Sequence, residues 1–351
     1  MITEVVKVTQ YLTADDNVAL GRAAEIIGRG GLVVFPTETV YGLGADATNA
    51  AAAMSIFAAK GRPSDNPLII HVARPEDAEQ YAHTCPLYYR LAELYMPGPL
   101  TVILPAKDSV PLETRGGLST VAIRCPSHVV ARRLIELSGV PIAAPSANLS
   151  GSPSPTSLQH VIDDMLGRVD MIIDDGDADF GLESTIVKID SEDSITLLRP
   201  GKITAEELSL VANLTIADAV TDKLRDGETV LSPGMKYRHY APAAPVVLLD
   251  GDYTDSINYI RNIASGKYAV LCYSEDIEFY RGSLSEAVLY EFGARDDEIT
   301  QAHQLFAILR EADKMSFDMV FAPLPPKCGI GLALYNRLIR AAAHRIINLR
   351  R

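Results

Sequence analysis

The stretch Lys60-Gly61-Arg62-Pro63-Ser64-Asp65-Asn66-Pro67-Leu68-Ile69-Ile70-His71 joins two elements of different kinds. Ahead of it, 49–59 is alanine-rich, carries Met54, Ile56 and Phe57, and opens on Asn49, a good N-cap, so it reads as a short helix. Gly61 stands where helices end, and Pro63 and Pro67 forbid continuation, since proline lacks the N–H and clashes with the preceding turn. Leu68 to Val72 is an apolar run of strand length. Lys60, Arg62, Ser64 and Asn66 are thereby held on a stiff helix-to-strand loop. In a chain of net charge −13, two cations and two hydrogen-bonding side chains so placed suit an anion site, and a solvated turn is the plain alternative.

A second stretch tips the balance. Leu32 to Phe35 reads as a buried strand and runs into Pro36-Thr37-Glu38-Thr39-Val40-Tyr41-Gly42-Leu43-Gly44, a Thr-rich turn with two glycines. Its hydroxyls and exposed backbone N–H groups suit a small polar ligand. Further along come Ala-Ile-Arg-Cys-Pro (122–126), Ala-Pro-Ser-Ala-Asn-Leu-Ser-Gly (144–151), Glu-Ser-Thr-Ile-Val (183–187) and Leu-Arg-Pro-Gly (198–201). With these motifs in this order, the chain resembles the YrdC-like threonylcarbamoyl-AMP synthases. Ser-Pro-Gly-Met-Lys-Tyr-Arg-His-Tyr-Ala-Pro (232–242) is similar to the linker of the long, two-domain form.

At 351 residues the chain is long enough for about two domains. No apolar run approaches the roughly 20 residues needed to span a bilayer, and the N-terminus lacks the basic and apolar regions of a signal peptide. Cys85, Cys125, Cys272 and Cys328 are widely spaced, which reads as reduced thiols and a cytoplasmic location rather than zinc or disulfide chemistry. Nucleic-acid binders gain affinity from a basic face, so the acidic balance argues against tight tRNA binding.

Between the strand candidates 101–104, 121–124, 142–144, 170–173, 185–189 and 195–198 lie helical stretches, notably 129–137 and 158–165. An earlier helix over 17–29 ends at Gly30-Gly31. The alternation predicts an α/β fold, a mixed sheet with helices packed on it. The resemblance implies the same as a twisted YrdC-like sheet with a concave, cation-lined surface. Domain boundaries are placed at 1–205 for the catalytic domain, 206–245 for a linker and 246–351 for a second, smaller Rossmann-like α/β domain, whose closing helix is expected over 332–347. Gly329-Ile330-Gly331 lacks the third glycine of a dinucleotide fingerprint.

No phosphate-loop, kinase, nucleophile-elbow or His-Glu-x-x-His signature is present. The resemblance implies condensation of L-threonine, bicarbonate or CO2, and ATP into threonylcarbamoyl-AMP with release of pyrophosphate, the product passing to a tRNA threonylcarbamoyl transferase. It places Lys60, Arg62, Asn66, Thr120, Ser146, Ser154, Arg199 and His239 with ATP, Lys60 and Arg62 acting in catalysis. Thr39, His71, Arg124, Ala144 and Ser184 would surround threonine, Ala144 through its backbone. Mg²⁺ would be held mainly by the phosphates, with no protein ligand assigned. Ser150 to Thr156 reads as a hydroxyl-rich phosphate cradle before a helix capped by Thr156. The cations and aromatic rings of 236–240 suggest that the linker closes over ATP as a lid. Two other classes stay open here: an RNA-binding module, and a carbamoyl-transfer component of hydrogenase maturation.

Overall fold

A computed structural model describes residues 2–222 and 244–350. The linker run 232–242, His239 and the expected lid lie outside the described residues. The first domain opens with β1 (Glu4–Lys7), α1 (Ala14–Gly28), β2 (Val33–Phe35), β3 (Gly42–Asp46), α2 (Ala50–Lys60) and β4 (Ile69–His71). It continues through α3 (Pro86–Tyr95), β5 (Leu100–Pro105), α4 (Leu112–Arg115), β6 (Thr120–Arg124), α5 (Val129–Ser138) and β7 (Ile142–Ala143). The last part holds α6 (Leu158–Met165), β8 (Met171–Asp174), β9 (Thr185–Ile189), β10 (Ser194–Arg199), α7 (Ala205–Ser209) and β11 (Asn213–Ile216). These eleven strands form one mixed sheet in the order β1-β8-β2-β3-β7-β4-β6-β5-β9-β10-β11.

Local chemistry sets the ends of the element that leads to the decisive loop. Asn49 caps α2 by accepting the N–H groups of Ala51 and Ala52, and Gly61 ends it at φ 61°, a conformation glycine adopts without a Cβ penalty. Two expectations need correction nearby. The glycine-bearing segment after the Thr-rich turn is a strand, β3, antiparallel to β2 and β7. A Cβ at Gly44 would lie 2.7 Å from the Phe35 ring and 2.8 Å from Ile142, so this glycine serves close packing and not a turn. Gly44→Val is therefore expected to cost about 1–3 kcal/mol through overpacking, read as a lower urea midpoint at unchanged slope. The second correction concerns α6, which Ser157 caps through the His160 N–H, where Thr156 was expected.

The second domain comprises β12 (Val246–Asp250), α8 (Tyr253–Ile263), β13 (Tyr268–Cys272), α9 (Ile277–Ser283), β14 (Val288–Glu291), α10 (Glu298–Lys314), β15 (Met319–Pro323), α11 (Gly331–Ala341) and β16 (Ile346–Asn348). Its sheet is all parallel in the order β14-β13-β15-β12-β16, as a Rossmann-like unit requires. The closing helix is shorter than 332–347. Ala343 and His344 take positive φ, which breaks the helix, and 346–348 then adds an edge strand beside β12. Residues 206–220, assigned to the linker by their polar composition, instead carry α7 and β11. Their Leu208 and Val220 are buried in the first domain's core, and β11 pairs with β10.

The two domains share side chains across their seam. Val40, Phe180 and Leu182 of the first domain belong to the same apolar cluster as Leu305, Leu309 and Leu334 of the second. In return, Leu332 of α11 is buried in the cluster of the first domain. Gly181, at φ 84°, lies where a Cβ would come within 2.6 Å of the backbone of His303, so α10 packs directly on the chain there. Among the described residues no helix is long and apolar enough to cross a membrane.

Candidate active site

One pocket, with about 620 Å³ of space open to solvent, lies over β4 and its neighbours. The parallel register of β4 with β6 sets His71 beside Arg124, and the antiparallel β7 carries Ala144 back past Ile69. The 37–41 turn, the 144–148 segment after β7, Ser154, the Glu183-Ser184 pair before β9 and Arg199 at the end of β10 complete the wall. All five residues assigned to threonine line it: Thr39, His71, Arg124, Ala144 and Ser184. Of those assigned to ATP, Arg62, Ser146, Ser154 and Arg199 do.

Three of the ATP group are placed elsewhere. Lys60 is buried behind the wall, where its Nζ donates to the backbone carbonyls of Ser146 at 2.5 Å and Asn148 at 2.6 Å. Burial, then the neighbouring Arg62, push its pKa well below the usual lysine value, while these carbonyl oxygens accept its hydrogen bonds. Asn66 is buried, with neither side-chain amide atom hydrogen-bonded among the described residues. Thr120 begins β6 and shares the face of Arg124 four residues earlier, outside the pocket lining.

The electrostatics rest on two buried pairs whose acidic members were quoted in motifs but given no role. Arg124 Nη2 donates to Glu38 Oε1 at 2.7 Å, both side chains nearly buried. Burial raises the Glu38 pKa, Arg124 outweighs it, and the net value falls below the usual glutamate range. Glu183 is the second acid: its Oε2 accepts Arg337 Nε at 3.0 Å and its Oε1 accepts the Ser154 hydroxyl at 2.5 Å. Burial again raises its pKa, but Arg337 and then Arg199 bring it down to about 2, so it is ionised. His71 moves the other way, pushed down to about 3 by burial and by Arg124, so its ring is neutral. Each acid pairs with an arginine remote in sequence, and no spacing rule reveals such a partner.

The hydroxyl protons point inward. Thr37 Oγ1 donates to the Val40 carbonyl at 2.6 Å, so the 2.9 Å contact with Thr39 is donated by Thr39. Ser146 donates to Asn148 Oδ1 at 2.5 Å, as Ser154 does to Glu183. Their oxygens therefore face the pocket as acceptors. That bears on the expected cradle: with its proton directed at Glu183, the Ser154 hydroxyl can only accept from a ligand. At the other end, Glu38 Oε2, His71 Nδ1 and Arg124 Nε are buried without a hydrogen-bond partner among the described residues. Unsatisfied buried polar atoms are rare in folded proteins and mark places where a ligand completes the network. The arrangement suits the orientation of an anionic ligand, and among the described residues of the lining no hydroxyl bonds a histidine.

The chain is similar to known proteins along most of its length. A family profile described as telomere recombination matches residues 25–201. A second, described as threonylcarbamoyl-AMP synthase, C-terminal domain, matches residues 203–343. The threonylcarbamoyl-AMP synthase of Pyrococcus abyssi is 43% identical over 338 residues, covering 93% of this chain and 95% of its own. That of Bacillus subtilis is 41% identical over 347 residues, covering 97% and 98%. That of Schizosaccharomyces pombe is 37% identical, covering 89% and 85%. A crystal structure of P. abyssi Sua5 complexed with L-threonine superposes with a TM-score of 0.88 at 41% identity, covering 99% of each chain.

Proposed function

The chain belongs to the threonylcarbamoyl-AMP synthase family, and from that membership we propose that this pocket joins L-threonine, bicarbonate or CO2, and ATP. The observation that carries the assignment of ends is the unsatisfied Arg124 Nε beside its Glu38 partner. An amino acid's carboxylate arriving there satisfies a planar donor already fixed by a buried ion pair. Neutral His71, Thr39, Ser184 and the Ala144 backbone enclose the rest of threonine. Arg62, Ser146, Ser154 and Arg199 line the ATP end, with Lys60 supporting the 146–148 segment behind it.

The reaction follows from charge. The unprotonated threonine amine adds to the carbon of CO2 and gives a carbamate anion, its nitrogen releasing one proton. A carbamate oxygen then attacks the α-phosphorus of ATP, and pyrophosphate leaves. Two anions must meet, so fixed guanidinium groups, position and exclusion of water supply the rate. Among the described residues no group of three His, Cys, Asp or Glu is set to hold a metal ion, and both acids of the site are in ion pairs. The inward-turned hydroxyls of Ser146 and Ser154 leave oxygens suited to accept from metal-bound water. These residues fit a Mg²⁺ carried on the phosphates, which when bound would neutralise charge at the reacting phosphate.

The product is a mixed anhydride, and we place its use in a tRNA threonylcarbamoyl transferase reaction in the cytoplasm. Pyrophosphate release from ATP is the test of the reaction. It is expected to rise only when L-threonine and bicarbonate are added together; equal release with L-serine, or without bicarbonate, would identify a loose ATPase.

A further inference from the structure

The second domain places a buried guanidinium against the pocket wall. Arg337 on α11 has 0% of its side chain exposed. Its Nε donates to Glu183 Oε2 at 3.0 Å and its Nη1 donates to the Pro200 carbonyl at 2.8 Å. The other Glu183 oxygen accepts a hydrogen bond from the Ser154 hydroxyl, and both Glu183 and Ser154 line the pocket. The neighbouring Ser184 accepts Arg199 Nε on its carbonyl at 2.9 Å and Arg199 Nη2 on its hydroxyl at 3.0 Å. Two guanidiniums from two domains thus fix adjacent residues of one wall. The segment just before them, Phe180 to Leu182, is built into the second domain's core. It in turn bonds the opposite wall, since Phe180 N–H donates to the Glu38 carbonyl and Gly181 N–H to that of Thr39, each at 3.1 Å.

We infer that Arg337 is a positioning residue for the condensation: it holds Glu183, and through Glu183 turns the Ser154 oxygen toward the nucleotide as an acceptor. The reading rests on the assignment of ATP to this end of the pocket. Without Arg337, the buried Glu183 carboxylate faces Arg199 on β10 and Lys60 on α2, both already engaged with the wall. It then swings toward Arg199, releases Ser154 and drags the guanidinium off Ser184. An amide at position 183 exerts no such pull and still accepts from Ser154.

The test uses the full chain with Arg337→Met, Arg337→Lys, Ser154→Ala and the doubles R337M/E183Q and R337K/S154A. ATP affinity is read by calorimetry, kcat and KM by pyrophosphate release, and folding by thermal unfolding. Arg337→Met is expected to weaken ATP binding and lower kcat/KM for ATP about ten- to a hundredfold. R337M/E183Q is expected to recover most of that loss. A folded R337M enzyme with unchanged ATP affinity, or a double variant as impaired as the single, overturns the inference. Should R337M not fold, Arg337→Lys decides, because it keeps the charge and loses the fork. It is expected to weaken ATP binding, and to add nothing once Ser154 is alanine; unaltered ATP binding, or additive losses, would mark a role in folding alone. A wild type that binds no ATP overturns this inference together with the site assignment, whereas one that binds ATP without threonine-dependent turnover overturns only the proposed reaction.

Discussion

Replacing Arg124 by alanine is expected to cost threonine binding about 2–5 kcal/mol, because the substrate carboxylate loses its partner in a desolvated pocket. ATP affinity is expected to stay within about threefold, since Arg124 bonds Glu38 at the threonine end and not Arg62, Ser146, Ser154 or Arg199 at the other. Calorimetry with each ligand separately checks this, and equal losses would move Arg124 out of the threonine end. The variant carries a second signature. In the wild type, Arg124 holds Glu38 below its usual value, so the pair contributes stability above the unfolded-state pKa of glutamate, and that stability is lost as pH falls through the lower folded value. In Arg124→Ala burial, the largest influence on Glu38, is opposed only by backbone N–H groups, and the folded carboxyl is expected to move above its unfolded value. The variant is then least stable at neutral pH and regains stability as pH falls through the raised value. The loss at neutral pH is expected to be about 3–5 kcal/mol, the cost of an unpaired buried charge. Urea midpoints measured between neutral and mildly acid pH should show that recovery in R124A and its disappearance in R124A/E38Q.

Much of the first domain was legible in the residues because its signals are local. Asn49 and Gly61 bracket α2 as caps do, and the apolar runs at β4, β5 and β9 are short, continuous and bounded by breakers. The failures were non-local. Gly42 and Gly44 looked like turn glycines, but both lie in β3, where a Cβ at Gly44 would run into the Phe35 ring and Ile142 of the neighbouring strands. Residues 206–220 looked like a tether because β11 is a largely exposed edge strand, whose polarity is that of a linker. Thr156 and Ser157 are equally good caps on paper, and only geometry chooses Ser157. At the site, the cations were found and the acids were not. A single arginine beside an apolar run suggests a ligand, whereas Glu38 and Glu183 acquire meaning only when β6 and α11 bring Arg124 and Arg337 to them. The direction of a hydroxyl proton, which turns Ser154 from donor to acceptor, is likewise set by a residue 29 positions away.

Lys60 and Arg62 sit two residues apart, and were assigned together, yet they are expected to fail in different ways when replaced. Lys60 has its Nζ on the carbonyls of Ser146 and Asn148, the segment that supplies Ser146 to the pocket. Lys60→Met keeps the length of the side chain but leaves those carbonyls buried without a donor. Each such group costs about 1–3 kcal/mol, so a stability loss of about 2–5 kcal/mol is expected, with the 146–152 segment displaced and ATP binding lost with it. Lys60→Arg is not expected to rescue, because a planar fork is too wide for a site closed around a compact ammonium. Arg62 instead lines the pocket itself. Arg62→Ala is expected to weaken ATP binding by about 1.5–3 kcal/mol, the range for hydrogen bonds to charged groups, while its urea midpoint falls less than that of Lys60→Met, since its contacts to the Asn66 and Pro67 carbonyls are longer. The pair of measurements, unfolding and ATP calorimetry on each variant, separates a cation that builds the wall from one that faces the substrate. Stability loss in Arg62→Ala matching that of Lys60→Met would place both behind the wall and leave the phosphates to Arg199.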